Sequence, residues 1–198
     1  MNKSFFFVLI FLLCFRLFPQ AVEKGNFLID AYYGYGTLLS LIAKAVSTTT
    51  SPVKISVLGP AGIRGEYMIS DNFGFGADVQ YNSFRIRWTE EYVDGSGISN
   101  QYFYDYNWQR FWIMPKASVH FGKDENFDGY ASFFGGYTHH VFTLNTNDPY
   151  YNPSVSFSGL AFRIALGGRY LFTKNFGMFG EIGFFGGALI HGGLSLKL

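Results

Sequence analysis

One cysteine in 198 residues removes most thiol chemistry from consideration. Cys14 lies in an N-terminal stretch with the character of a leader. The rest of the chain has no disulfide, no thiolate nucleophile and no cysteine for a metal centre. Long apolar runs are missing too: past the leader no stretch approaches the ~18 residues that a spanning helix needs. Charge of one sign is also absent. Fifteen Lys and Arg stand against 14 Asp and Glu, with no basic tract and no acidic tail, which argues against a nucleic-acid partner. The four histidines give no metal pattern. His139 and His140 are adjacent, so in a strand they face opposite ways, and His120 and His191 have no partner at ligand spacing. Neither a metal nor another cofactor is expected.

The chain opens MNKSFFFVLIFLLCFRLFPQA. Lys3 supplies a positive start, residues 5–13 are uninterruptedly apolar, and Ala21 offers a small residue for cleavage. The pattern predicts a signal peptide over 1–21 and a single exported domain over 22–198. Arg16 is unusual so late in a signal, which keeps an N-terminal anchor as the alternative. Leu13 stands before Cys14 where a lipoprotein signal has a small residue.

Aromatics and glycine are abundant. Phe, Trp and Tyr make up 21% of the residues and Gly numbers 24, more than an average soluble domain carries. These residues fall into alternating segments. In RFWIMPKASVHF, Phe111, Ile113, Pro115, Ala117, Val119 and Phe121 share one parity, and Arg110, Lys116, Ser118 and His120 the other. In LAFRIALGGRYLF, Leu160, Phe162, Ile164, Leu166, Tyr170 and Phe172 oppose Arg163 and Arg169. Side chains alternate across a strand, so each segment has an apolar face and a charged one. Behind an export signal, that pattern predicts apolar residues toward lipid and charges toward a lumen. Eight such segments can be placed, at about 26–37, 55–69, from 73, 101–121, 129–143, 157–172, 175–185 and 188–198. Segment 38–46, LLSLIAKAV, is either a short helix or an extension of the first strand.

The connections alternate as well. Residues 70–72, 122–128 and 173–175 are short and turn-forming, whereas 38–54, 89–100 and 144–156 are longer and polar; Gly186-Gly187 leaves little loop in the last hairpin. Short turns below and long loops above fit an outer-membrane barrel. A height argument agrees. From Phe73 and from Phe121, both outward faces turn polar 12 residues up, at Arg85 and at Gln109. Tilted strands climb roughly 2.3 Å per residue, so this is about 28 Å, close to the thickness of the apolar band.

The stretches GIRGEYMISDNFGFGADVQY and GGRYLFTKNFGMFGEIGFFGGALIHGGLSLKL carry a resemblance to small eight-stranded outer-membrane barrels, the OmpA-transmembrane and OmpX-like group. It covers residues 22–198. It implies an all-β, eight-stranded antiparallel up-and-down transmembrane β-barrel in the outer membrane of a Gram-negative bacterium. It further implies a monomer, surrounded by outer-membrane lipid and lipopolysaccharide, whose last strand is read by the barrel-assembly machinery. That strand usually ends in an aromatic residue; here Leu198 takes the place.

The inward parity is expected to collect Arg64, Glu66, Asp78, Arg110, Lys116, Arg163, Arg169 and Glu181, with Asp30 and Lys197. An eight-stranded barrel is just wide enough for side chains to fill it, so these charges must pair. The expectation is a salt-bridged plug in a barrel with a structural or surface-interaction role. The alternative is a narrow ion pore gated by Arg64, Glu66, Arg169 and Glu181, as the resemblance permits. A lipid-A-modifying enzyme is a third reading, weakened because His139 has Val141, not Ser, two residues on. Arg85 and Arg87 face outward above the apolar band, at the level of lipopolysaccharide phosphates. Trp88, Tyr92, Tyr102 and Tyr104 suit an interfacial girdle near them. The hairpin tip WTEEYVDGSGISNQYFYDY is longer than a membrane requires and offers an edge to an extracellular protein or glycan.

Overall fold

A computed structural model describes residues 20–35, 53–93, 95, 97–122, 124–151 and 154–198. The strands are β1 (Phe27–Tyr35), β2 (Lys54–Ser70), β3 (Phe73–Val93), β4 (Ser99–His120), β5 (Phe127–Thr146), β6 (Ser154–Leu171), β7 (Phe176–Phe184) and β8 (Ile190–Lys197). Each pairs antiparallel with its neighbours in sequence, and β8 pairs with β1 to close the ring. Closure leaves no edge strand, so every backbone polar group in the wall can find a partner within the sheet. At the seam Phe27 and Leu198 exchange both backbone hydrogen bonds.

The predicted inversion is present. Ile63, Val79, Ile113, Tyr137 and Leu160 form one row across five strands, and all face outward. Leu160 is 91% exposed, an arrangement that is stable only against lipid. The opposite parity carries Asp30, Arg64, Glu66, Asp78, Lys116, Arg163, Arg169 and Glu181, all buried. The register puts the exit level on β3 two residues lower than the height argument expects: Gln109 pairs with Ser83, directly above the apolar row of Tyr81 and Phe111, and Arg85 pairs with Asn107.

The wall is uneven. β1, β7 and β8 have 9, 9 and 8 residues, against the ~9–11 that span a membrane. β3, β4, β5 and β6 have 21, 22, 20 and 18. Two predicted loops are therefore partly strand. β3 continues to Val93 and β4 starts at Ser99, so 89–100 is a tight hairpin end, and β5 and β6 consume much of 144–156. Below, the predicted turn 122–128 is shorter, because Phe127 and Asp128 already belong to β5. Segment 38–46 lies outside the described residues, as do residues 1–19 of the predicted signal peptide. Ala21 and Val22 are buried beneath the ring, where the Lys197 ammonium donates to the Ala21 carbonyl at 2.7 Å.

A single parity over 55–69 does not hold. The β2–β3 register shifts between Leu58 and Ala61, where a bulge adds one residue to β2. Below it Ile63 and Tyr67 face out; above it Leu58, Ser56 and Lys54 do. Gly59 makes the bulge possible. Its φ is 80°, and a Cβ there would lie 2.7 Å from the Ala61 nitrogen and 2.8 Å from the Tyr81 oxygen. Gly59→Ala is expected to cost about 1–2 kcal/mol from the left-handed backbone alone. Urea unfolding of the refolded barrel, followed by loss of its fast-migrating form on unboiled gels, measures this.

Candidate functional site

The lumen is filled from floor to mouth. Val22, Leu28 and Met68 form an apolar floor. Above it Arg169 donates to Asp30 at 2.9 Å, to Asp128 at 2.8 Å and to the Ser195 hydroxyl at 2.6 Å. Lys116 meets Glu66 at 2.6 Å. His120 bridges the two groups, with Nδ1 2.9 Å from Asp128 and Nε2 3.2 Å from Glu66. One storey higher, Glu181 receives Arg64 at 2.5 Å and Arg163 at 3.0 Å. Arg64 also lies 3.6 Å from Asp78, whose carboxylate accepts the Tyr32 hydroxyl at 2.7 Å. Arg163 donates in addition to the Gly186 and Ala188 carbonyls of the β7–β8 turn.

Arg64 reaches across the lumen to Glu181 and Arg169 to Asp30, tying strands that are not neighbours, whereas Arg163 joins the adjacent β7. Isolated ions in this interior would each cost several kcal/mol, so the ion pairs are obligatory for the fold. Rings fill the space between them: Tyr130 lies under both Arg169 and Lys116, and Phe134 under Arg64 and Lys116. Small residues make room. A Cβ on Gly183 would collide with the Arg163 guanidinium at 2.1 Å, and one on Gly74 with the Glu66 carboxylate at 2.3 Å.

Eight of the ten predicted lumen charges join this network; Lys197 reaches the Ala21 carbonyl below it instead. Arg110 does not join it either. It is half-buried near the mouth, bonds only the Asn82 amide oxygen, at 2.8 Å and 3.2 Å, and lies between the Trp108 and Trp112 rings. Among the described residues no carboxylate forms an ion pair with it, so a charge expected to find an acid is held by an amide and two indoles instead. His120, for which the sequence offered no partner at metal-ligand spacing, is held by two carboxylates, Asp128 and Glu66. Asp128 was missed because the turn was drawn one pair too long; its parity with Tyr130 and Ser132 carried the signal.

Above Arg110 the inner face of the tall wall is aromatic. Trp108 stacks on Phe142 at 4.9 Å and His140 on Phe157 at 4.6 Å. Trp88 stacks on Tyr104 at 5.0 Å, closer to the tip. There Glu90, Glu91, Tyr92, Asn100, Tyr102, Tyr104, Asp148 and Tyr150 line a cleft of about 520 Å³. Tyr104 donates to Asp148 at 2.9 Å, and chiefly for that reason its phenol is pushed up to about 12.

On the outer wall Arg85 and Arg87 face outward as predicted, but they are not equivalent. Arg85 clamps Asp105 with Nε and Nη2, and this bond holds Asp105 below the usual carboxylate range. At the upper edge of the apolar band, outward-facing His139 meets Ser158 across β5 and β6, Nδ1 to hydroxyl, at 2.7 Å. Sequence spacing could not reveal that pair, because it forms between strands. No carboxylate orients the ring among the described residues, and the flanking backbone is committed to the ladder, so neither the third member of a triad nor an oxyanion hole is provided.

A closed eight-stranded ring, greasy outside and ion-paired within, defines a transmembrane β-barrel of the Gram-negative outer membrane. The chain belongs to the family described as the outer membrane protein beta-barrel domain, whose model matches residues 7–187. No curated protein sequence matches it. Among solved structures it is similar to OprG of Pseudomonas aeruginosa, with 12% identity over 91% of this chain and 99% of that one, at a TM-score of 0.50. The N-terminal β-barrel domain of OprF from the same organism shares 16% identity over 89% and 100%, at 0.48. Ail of Yersinia pestis, solved with the heparin analogue sucrose octasulfate, shares 10% over 88% and 95%, at 0.42. At these identities the likeness concerns the fold.

Removing one partner from a buried pair leaves the other charge uncompensated, at a cost of about 3–5 kcal/mol. Glu181→Gln takes from Arg163 its carboxylate and leaves Arg64 only the longer contact to Asp78, and is expected to fall in that range in urea titrations of the refolded barrel. Arg85→Gln, on the exposed wall, is expected to leave the midpoint nearly unchanged.

Proposed function

We propose that this protein is a plugged, non-conducting barrel whose tall wall serves surface interaction, in the manner of an adhesin. One observation carries the reading: β3 and β4 have about twice the residues needed to cross the membrane, while β1, β7 and β8 have just enough. Ten residues of β3 follow Ser83, which lifts its end about 20 Å above the apolar band. A membrane anchor alone does not require that height. The raised wall presents tyrosines on a rigid frame, and Tyr92, Tyr150 and Tyr151 are exposed. Tyrosine supplies large contact area at low entropic cost, and the carboxylates and Asn100 amide of the cleft can hydrogen-bond a glycan or a protein backbone.

The plug supports the non-conducting half of the proposal. Arg64 and Glu181, two of the four gate candidates, are locked together with Arg163 and Asp78; Arg169 and Glu66 belong to the lower storey. Exchange of partners would have to break several buried ion pairs at once.

Planar-bilayer recordings on the purified barrel are expected to show no discrete openings. Unitary steps that vanish in Glu181→Gln would favour the pore. Replacing 89–100 with an Asn-Gly turn is expected to leave the barrel heat-modifiable. The same change is expected to abolish attachment of expressing cells to immobilised matrix protein or glycan, and attachment at the original level would count against the surface role. Lipid A mass spectra from cells carrying wild type and Ser158→Ala are expected to be identical.

A further inference from the structure

We propose that Lys54 and Arg87 form a site for the phosphate of an outer-leaflet lipid headgroup on the outer wall of the barrel. The bulge at Gly59 creates it. Without the added residue, Lys54 would carry the parity of Arg64 and point into the mouth; with it, Lys54 faces outward and pairs in register with Arg87. Across the β3–β4 ladder Arg87 is opposite Asp105. That carboxylate is clamped through both its oxygens by Arg85, and Arg87 forms no ion pair with it. Among the described residues neither Lys54 nor Arg87 has a carboxylate within ion-pair distance, and both are exposed.

Position and shape agree with a lipid ligand. The Lys54–Arg87 pair sits four residues above the Ser83–Gln109 row, about 9 Å higher on a tilted strand. The headgroup layer of a bilayer leaflet is about 5–8 Å thick, and the long stems of both residues reach back down to it. A cleft of about 280 Å³ opens between them, lined also by Thr89, Phe103 and the neutralised Asp105. The ammonium acts as a point charge and the guanidinium as a two-pronged donor, the combination that suits a phosphate monoester. Three cations, Lys54, Arg85 and Arg87, stand here against one anion, Asp105. A phosphate completes the balance, and a neutral glycan or protein surface does not.

Native mass spectrometry of the detergent-solubilised barrel tests the assignment, with diphosphoryl lipid A, its dephosphorylated form and inorganic pyrophosphate as probes. Wild type is expected to hold diphosphoryl lipid A at least about tenfold more tightly than the dephosphorylated lipid. That advantage is expected to disappear in Lys54→Gln/Arg87→Gln, to fall partway in each single variant, and to persist in Arg85→Gln/Asp105→Asn. Heat-modifiable migration of every variant verifies that the barrel is intact. Undiminished binding by the Lys54→Gln/Arg87→Gln barrel, or equal binding of the phosphate-free lipid, overturns the site. Displacement of lipid A by an equal concentration of pyrophosphate would mark a free-anion site and overturn the lipid assignment.

Discussion

Hydrocarbon offers no hydrogen bonds, and the rest of this structure depends on that. A sheet placed in lipid must satisfy every backbone group within itself, and only a closed ring does so. The β1–β8 seam, with Leu198 bonded back to Phe27, completes the ring. Once the outside must be apolar, the alternation of side chains puts all other residues inside. Eight strands enclose a space that side chains fill. The inner charges are thereby confined together, away from bulk water, and have to neutralise one another.

The resulting network is a set of cross-lumen braces. Arg169 draws in Asp30 and Asp128; Glu181 draws in Arg64 and Arg163. Five buried carboxylates, Asp30, Glu66, Asp78, Asp128 and Glu181, face four buried Arg and Lys side chains, Arg64, Lys116, Arg163 and Arg169. His120 lies between two of the acids, with each ring nitrogen on a carboxylate. Above this plug the sheet no longer has to exclude lipid, and the rules change. β3 to β6 run on into the exterior, their inner face turns from ion pairs to stacked rings, and Arg110 marks the crossover. The tall wall, rim cleft and outer cations all lie above that level, where interaction with the outside is possible.

Much of this was legible in the chain. Period-two alternation revealed the strands, their faces and eight of the nine charges that join the network, Asp128 being the exception. The level at which each strand leaves the lipid was readable to within two residues. Three things were not. Pairing across the lumen depends on distances between strands, so no spacing rule could link Arg64 to Glu181 or His139 to Ser158. Strand ends were misjudged where polar residues continue the ladder, as at 89–100, because outside the membrane hydrophobic alternation no longer marks a strand. The Gly59 bulge reversed the upper half of β2, since a one-residue slip moves every side chain to the other face.

The sequence by itself determined the class, the location and most of the residues that line the lumen, because period and polarity are local properties that the membrane forces into one arrangement. The tertiary structure alone decided who pairs with whom, how far each strand rises, and that Lys54 stands beside Arg87 and not inside the mouth. Those outcomes are set by register and closure, which are relations between segments distant in the chain and are written in none of them singly.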